Sequence, residues 1–152
     1  MAGPDFVPQQ YKTINSFIIV KNAKEAIGFY NRAFGADEVT RLTDPNGVVV
    51  HAEMRIEDTI FMVVEENDVH GLSPLALGGV SSFLQIYTGD VEAMTEEAVK
   101  AGAKLLSPIT LQFSGARTCK IKDPYGHHWI LSTQVENLTE AQLQKRFHAL
   151  FP

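Results

Sequence analysis

Cysteine is nearly missing from this 152-residue chain. Cys119 stands alone, so no intrachain disulfide can form, a small disulfide-stapled secreted scaffold is excluded, and a reducing, cytoplasmic setting is expected. Long apolar runs are missing as well. The first ten residues carry Pro4, Asp5 and Pro8 but no apolar stretch, so neither a signal peptide nor a membrane span is expected there, and residues 1–12 read as a flexible arm. No run of Lys or Arg makes a basic stripe. With a formal net charge of −5 and a pI near 5.5, a nucleic-acid partner is not expected.

Motifs for covalent and nucleotide chemistry are absent too. No serine sits in a Gly-X-Ser-X-Gly elbow, and no glycine-rich loop is built to cradle phosphate. Cys119 falls on the apolar parity of its strand, where a thiol packs rather than reacts.

What remains is an ordinary globular composition, 45% hydrophobic and 20% charged, enough for one core. Two helical stripes stand out. Ala23, Ala26, Ile27, Tyr30, Ala33 and Phe34 form the first, with Asn22 as N-cap, Glu25 at the third position and Gly35 as the stop. Val91, Met94, Ala98 and Ala101 form the second, between Asp90 and Gly102.

Each helix follows a β-rich run, 14–20 or 82–88, and precedes three more: 38–42, 48–56 and 59–64 in the first half, and 104–109, 116–122 and 128–133 in the second. Asp44-Pro45-Asn46-Gly47 and Asp123-Pro124-Tyr125-Gly126 supply turns at corresponding places. The order βαβββ therefore occurs twice, with Gly35 and Gly102 offset by 67 positions.

The fold class predicted is α+β, with module one at residues 13–66, a linker at 66–80, module two at 81–136 and a C-terminal helix at 137–152. Thr139 and Gln142 form a capping box for that last helix, and Leu138 is placed to staple against Leu143. Leu143, Phe147, Leu150 and Phe151 line one face of it, which either packs on its own domain or meets a second chain.

The runs INSFIIVKNAKEAIGFYNRAFGA, GDVEAMTEEAVKAGAKLLSP and KDPYGHHWIL, in this order and spacing, resemble the two halves of the glyoxalase/bleomycin-resistance/dioxygenase, or vicinal oxygen chelate, superfamily. HAEMRIEDTIFMV, LQFSGAR and DPYGHHW resemble its PhnB-like branch. The resemblance implies two tandem βαβββ modules, each curled into half of an open barrel, with the concave face of the open curled sheet forming a pocket, and a homodimer. It leaves function open, because members include glyoxalases, ring-cleaving dioxygenases, epimerases, fosfomycin-modifying transferases and bleomycin-sequestering proteins.

Metal-dependent members place a His or Glu on the first and last strands of each module. Carried over position by position, those ligands correspond to Asn15, Met62, Phe83 and Ile130, a set poor in donors for a hard cation. No cofactor is therefore expected. A divalent metal would need a displaced site built from His51, Glu53 and His128; adjacent His127 and His128 point to opposite faces and do not chelate as a couple.

Strand parity sends Val48, Val50, Ala52, Met54 and Ile56 under the helix and His51, Glu53 and Arg55 to the other side. In module two, Phe83, Gln85 and Tyr87 face the pocket, with Thr118 and Lys120 opposite the Cys119 and Ile121 parity, and His128 nearby. Gln112 and Phe113 lie in a loop placed to close one end. Glu53 and Lys120 occupy equivalent places and are positioned to pair across the pocket. Arg117 either binds ligand or fixes its loop. Trp129 and Tyr30 belong to the core, and Asp123 serves its turn.

Two functions follow from these residues. One is a metal-free protein that binds a small organic molecule. The other is a glyoxalase-like lyase, isomerase or transferase that uses a displaced metal or His51 and Glu53 as an acid/base pair.

Overall fold

The structure is a computed structural model, and it describes residues 3–152. Met1 and Ala2, the start of the expected arm, lie outside the described residues. The chain runs β1 (Ser16–Val20), α1 (Ala23–Phe34), β2 (Asp37–Thr43), β3 (Val49–Ile56), β4 (Thr59–Glu65), α2 (Pro74–Leu77), β5 (Phe83–Tyr87), α3 (Val91–Ala101), β6 (Lys104–Leu111), β7 (Ala116–Lys122), β8 (His128–Gln134) and α4 (Glu140–His148). Two four-stranded mixed sheets result, ordered β1-β4-β3-β2 and β5-β8-β7-β6. In each, the first strand runs parallel to the last and the remaining pairs are antiparallel. The expected double βαβββ order is thus realised, and α2 is a short addition inside the linker.

The chain divides into two compact units, one reaching to Val80 and including Tyr125–His127, the other comprising Ser81–Pro124 and His128–Pro152. Residues 125–127 lie within module two in sequence yet pack in the first unit, because Tyr125 completes an aromatic cluster there. Its ring meets Phe29 edge-on at 6.0 Å. Tyr30, fully buried, stacks on Phe34 at 6.0 Å and meets Phe61 edge-on at 5.6 Å. Such pairs add about 0.5–1.5 kcal/mol each beyond burial of their area. Gly126 permits this docking, since at φ 91° it is left-handed and an added Cβ would fall 2.8 Å from the Pro74 Cβ.

Helix starts follow the capping chemistry of the sequence. Asn22 adopts a left-handed backbone, which Asn tolerates, and its side chain accepts from the Glu25 N–H. Glu65, at the end of β4, adds a second cap, accepting from the Asn22 and Ala23 N–H groups at 2.9 and 2.6 Å. A carboxylate there complements the positive end of the helix dipole. The Thr139–Gln142 box forms as expected. Asp44 Oδ1 accepts from both Asn46 and Val48, closing the β2–β3 turn.

Three details of patterning differ from expectation. In β3, Ala52 and Met54 are fully buried, but Val49 is buried where Val50 was expected. Thr43 pairs with Val49 while Leu42 pairs with His51, so a bulge shifts the parity at this end. In α3, Met94 and Ala101 are only half-buried and Thr95 takes the core position. Its hydroxyl is satisfied by the Val91 carbonyl at 2.6 Å and touches Cys119 Sγ at 3.2 Å, so a hydroxyl sits in the core without an unpaired group. In α4, no residue is buried; Phe147 meets Phe113 at 5.4 Å and Phe151 at 5.1 Å.

Asp123 does more than turn the chain. Its Oδ2 accepts the indole N–H of buried Trp129 at 2.9 Å, and the carboxylate is itself buried. Asp123→Ala removes that acceptor and is expected to lower unfolding stability by about 1–3 kcal/mol, measured by urea denaturation; an unchanged midpoint and slope would contradict the assignment.

Helix α4 is tied down by Arg146, whose two terminal nitrogens donate to the two Glu136 oxygens at 3.0 and 2.8 Å. That hydrogen-bonded guanidinium holds the Glu136 carboxyl below the usual range. A lowered carboxylate contributes above its unfolded value, about 4.3, and loses the contribution as pH falls through the folded value. Amide exchange in α4 should therefore quicken in acid, relative to the intrinsic rate, before either sheet opens. Equal protection on both sides of that range would refute the tie.

Candidate functional site

Because successive side chains of a strand alternate sides, the strand registers sort the candidates into rows. In the second sheet, on the face away from α3, Phe83, His128, Lys122 and Lys104 lie across from one another; Gln85, Ile130, Lys120 and Ser107 make the next row, and Tyr87, Ser132, Thr118 and Thr110 the third. The other face holds Ile86, Trp129, Leu131, Cys119 and Ile121, all buried beside the helix.

The first sheet repeats the grid at offsets of 67 or 68 residues. There the rows are Phe17, Met62, Glu53 and Thr40, and Ile19, Val64, His51 and Leu42, with Ile60, Arg55 and Asp37 preceding them. The expected orientation of His51, Glu53, Phe83, Gln85, Tyr87 and Lys120 agrees with this grid.

Within the second face the side chains are organised around Phe83. Its ring stacks on the His128 imidazole, with centroids 5.8 Å apart and planes within 7°. The Lys120 ammonium stands 4.2 Å above the Phe83 centroid, within reach of the negative ring face. Gln85 donates to buried Ser132 at 2.8 Å. Phe83 is 48% exposed and Tyr87 61%, so both side chains reach the surface. An open stack of rings beside a cation suits a planar organic molecule.

In the first unit, Tyr11 donates its hydroxyl to Glu53 Oε1, and His51 Nε2 lies 3.9 Å from the same oxygen. The Phe17 ring flanks His51 at 6.1 Å. The hydrogen bond to Glu53 raises the Tyr11 phenol above its ordinary value, with burial adding to the effect. Tyr11 belongs to the arm and carried no signal in the sequence, since one aromatic among polar residues has no periodicity. Glu53 accepts from Tyr11 in the first unit, and Lys120 lies over Phe83 in the second.

Three candidates lie elsewhere. Arg117 shares the α3 side of its strand and pairs with Glu92 on that helix, so it fixes structure instead of joining the open face. Gln112 donates to Thr110 Oγ1 at 3.0 Å and its backbone N–H closes the β6–β7 turn on Ala116. Phe113 is taken up by Phe147. Cys119 is buried, which pushes its thiol up and leaves it unreactive.

The sequence model of the Glyoxalase/Bleomycin resistance protein/Dioxygenase superfamily matches residues 12–131. The chain belongs to this superfamily. It is 32% identical over 137 residues to the protein Mb0911c of Mycobacterium bovis, a match covering 86% of this chain and 89% of the relative. Among solved structures, TioX from Micromonospora sp. ML1 is similar with a TM-score of 0.67 and 21% identity, over 82% of this chain and 99% of that one. The fosfomycin resistance protein FosX from Listeria monocytogenes, solved with Mn(II) and 1S,2S-dihydroxypropylphosphonic acid, is similar with a TM-score of 0.57 and 20% identity, over 88% and 95% of the two chains. At these identities the two structures speak for the fold alone.

Superfamily membership raises the question of a divalent ion, and the chemistry of the residues answers for the positions that the resemblance assigns. The Asn15 amide is engaged with the Lys12 backbone at 3.1 and 2.7 Å. Met62 offers a buried thioether, Phe83 a stacked phenyl and Ile130 nothing. This set does not fit a hard cation. Among the described residues, no three His, Cys, Asp or Glu side chains are gathered so as to hold a metal ion.

The Tyr11 contact is testable by titration. A raised phenol favours the neutral donor, so the contact is fully present below about pH 10 and is lost as pH rises through the folded value. Ultraviolet absorbance should show Tyr11 ionising later than a free tyrosine, and Glu53→Gln should return it toward the ordinary value. An identical titration curve in the variant would contradict the assignment.

Proposed function

We propose that this protein is a PhnB-like, metal-free member of the superfamily that binds a small, planar organic molecule, in the manner of a sequestering resistance protein. The observation that carries this reading is the half-exposed Phe83, stacked on His128 with the Lys120 ammonium over its ring. These residues make a ready binding surface. Tyr87 and the Gln85–Ser132 pair extend the surface with a ring and hydrogen-bonding groups. FosX and the superfamily's bleomycin-resistance members make drug-like molecules reasonable ligands.

The same reading places the protein in the cytoplasm as a homodimer. Exposed Phe147, Leu150 and Phe151 on and just beyond α4 give a second copy an apolar surface to cover. Among the described residues, no helix is long and apolar enough to cross a membrane.

A second reading has its own observation. Tyr11 donates to Glu53, and His51 Nε2 stands 3.9 Å from the same oxygen, a cluster of titratable groups that suits a lyase, isomerase or transferase working by acid/base transfer. His51→Ala separates the two, because it abolishes turnover in an enzyme and leaves affinity at the second sheet intact in a binding protein.

Calorimetric titration with planar aromatic compounds tests the first reading. Saturable binding is expected, weakened about tenfold or more by Phe83→Ala, in line with the ~1–3 kcal/mol that stacking contributes in comparable sites. Affinities unchanged in both Phe83→Ala and Tyr87→Ala would refute it.

A further inference from the structure

We infer that the open face of the second sheet selects aromatic ligands that carry a negative charge, an inference that rests on the reading of this face as a small-molecule site. Lys104 and Lys122 pair across β6 and β7 in the first row, and Lys120 stands in the second. No Asp or Glu occupies any place in the three rows, although the whole chain has a net charge of −5. The equivalent places in the first sheet mix signs, with Asp37, Arg55 and Glu53. The second face is therefore a local reversal of the protein's charge, and it coincides with the stacked rings.

The placement of Lys120 adds geometry to charge. Its ammonium is held 4.2 Å over the Phe83 centroid, so a ring laid against the exposed parts of Phe83 and Tyr87 has a cation at its edge. A fused bicyclic ring bearing one carboxylate can lie beside Phe83 and Tyr87 with its acid at the Lys120 ammonium. Such a ligand meets both attractions at once, whereas a cationic ligand of equal size meets Lys104, Lys120 and Lys122 as like charges.

Three isosteric probes test this on the full chain: naphthalene-2-carboxylate, its neutral carboxamide, and naphthalen-2-ylmethylammonium. Titration calorimetry at low salt should rank the anion about fivefold or more above the amide and the cation last, with the preference shrinking as salt screens it. Lys120→Met, which keeps the apolar stem, should erase most of the preference, bringing the ratio of anion to amide affinity to within about twofold of one. Lys104→Met/Lys122→Met should reduce it further. An amide or cation that binds as well as the anion overturns charge selection while the binding reading stands. A preference unaffected by both lysine variants also overturns the assignment. Failure of all three probes to bind overturns both.

Discussion

Pleating sends neighbouring side chains of a strand to opposite sides of its sheet, and the chemistry of this protein depends on that constraint. Once β1 pairs with β4 at Phe17 and Met62, and β5 with β8 at Gln85 and Ile130, the face of each paired side chain is decided. A slip of one residue would bury Glu53 and Lys120 beneath helices and expose Met54 and Ile121. The cost of burying those charges without partners is what holds the register.

Duplication then places the same grid twice, and the two copies have diverged in what they hold. One side of each grid is common property: Ala52 and Met54 under α1 correspond to Cys119 and Ile121 beside α3, all buried. The other side differs. The first sheet carries Glu53 with Tyr11 and His51, a cluster of titratable groups in partly buried surroundings. The second carries rings, lysines and amides, with Phe83 at their centre. The two copies differ on this side even in burial, with Ile60, Met62 and Val64 buried in the first sheet and Phe83 and Tyr87 exposed in the second.

Much of this was legible in the sequence because it is written in periodicities and caps. The paired Gly35 and Gly102 stops, the Asn22, Asp90 and Thr139 caps and the alternation from His51 to Arg55 each follow from local rules, and α1, α3 and α4 begin at those caps. What escaped depends on contacts distant in sequence. Thr95 reads as polar and is buried because the Val91 carbonyl and Cys119 satisfy it. The bulge at Val49 depends on β2 as much as on β3. Tyr125 joins the first unit because its ring completes a cluster begun nearly a hundred residues earlier. Arg117 pairs with Glu92 on α3, a partner too distant in sequence for any local pattern to reveal. At the site, parity identified the rows, but the Phe83–His128 stack and the Tyr11 hydroxyl required coordinates.

The poor donor set at Asn15, Met62, Phe83 and Ile130 is what distinguishes the proposed binding face from metal chemistry in the superfamily, and metal content tests it most directly. Protein prepared without chelator and without a metal-binding tag, then dialysed and analysed by inductively coupled plasma mass spectrometry, should contain far less than one equivalent of zinc, nickel, iron or manganese per chain. Its melting temperature should not move when Mn(II) is added. One retained equivalent per chain, with a melting temperature that rises on adding the ion, would contradict the account.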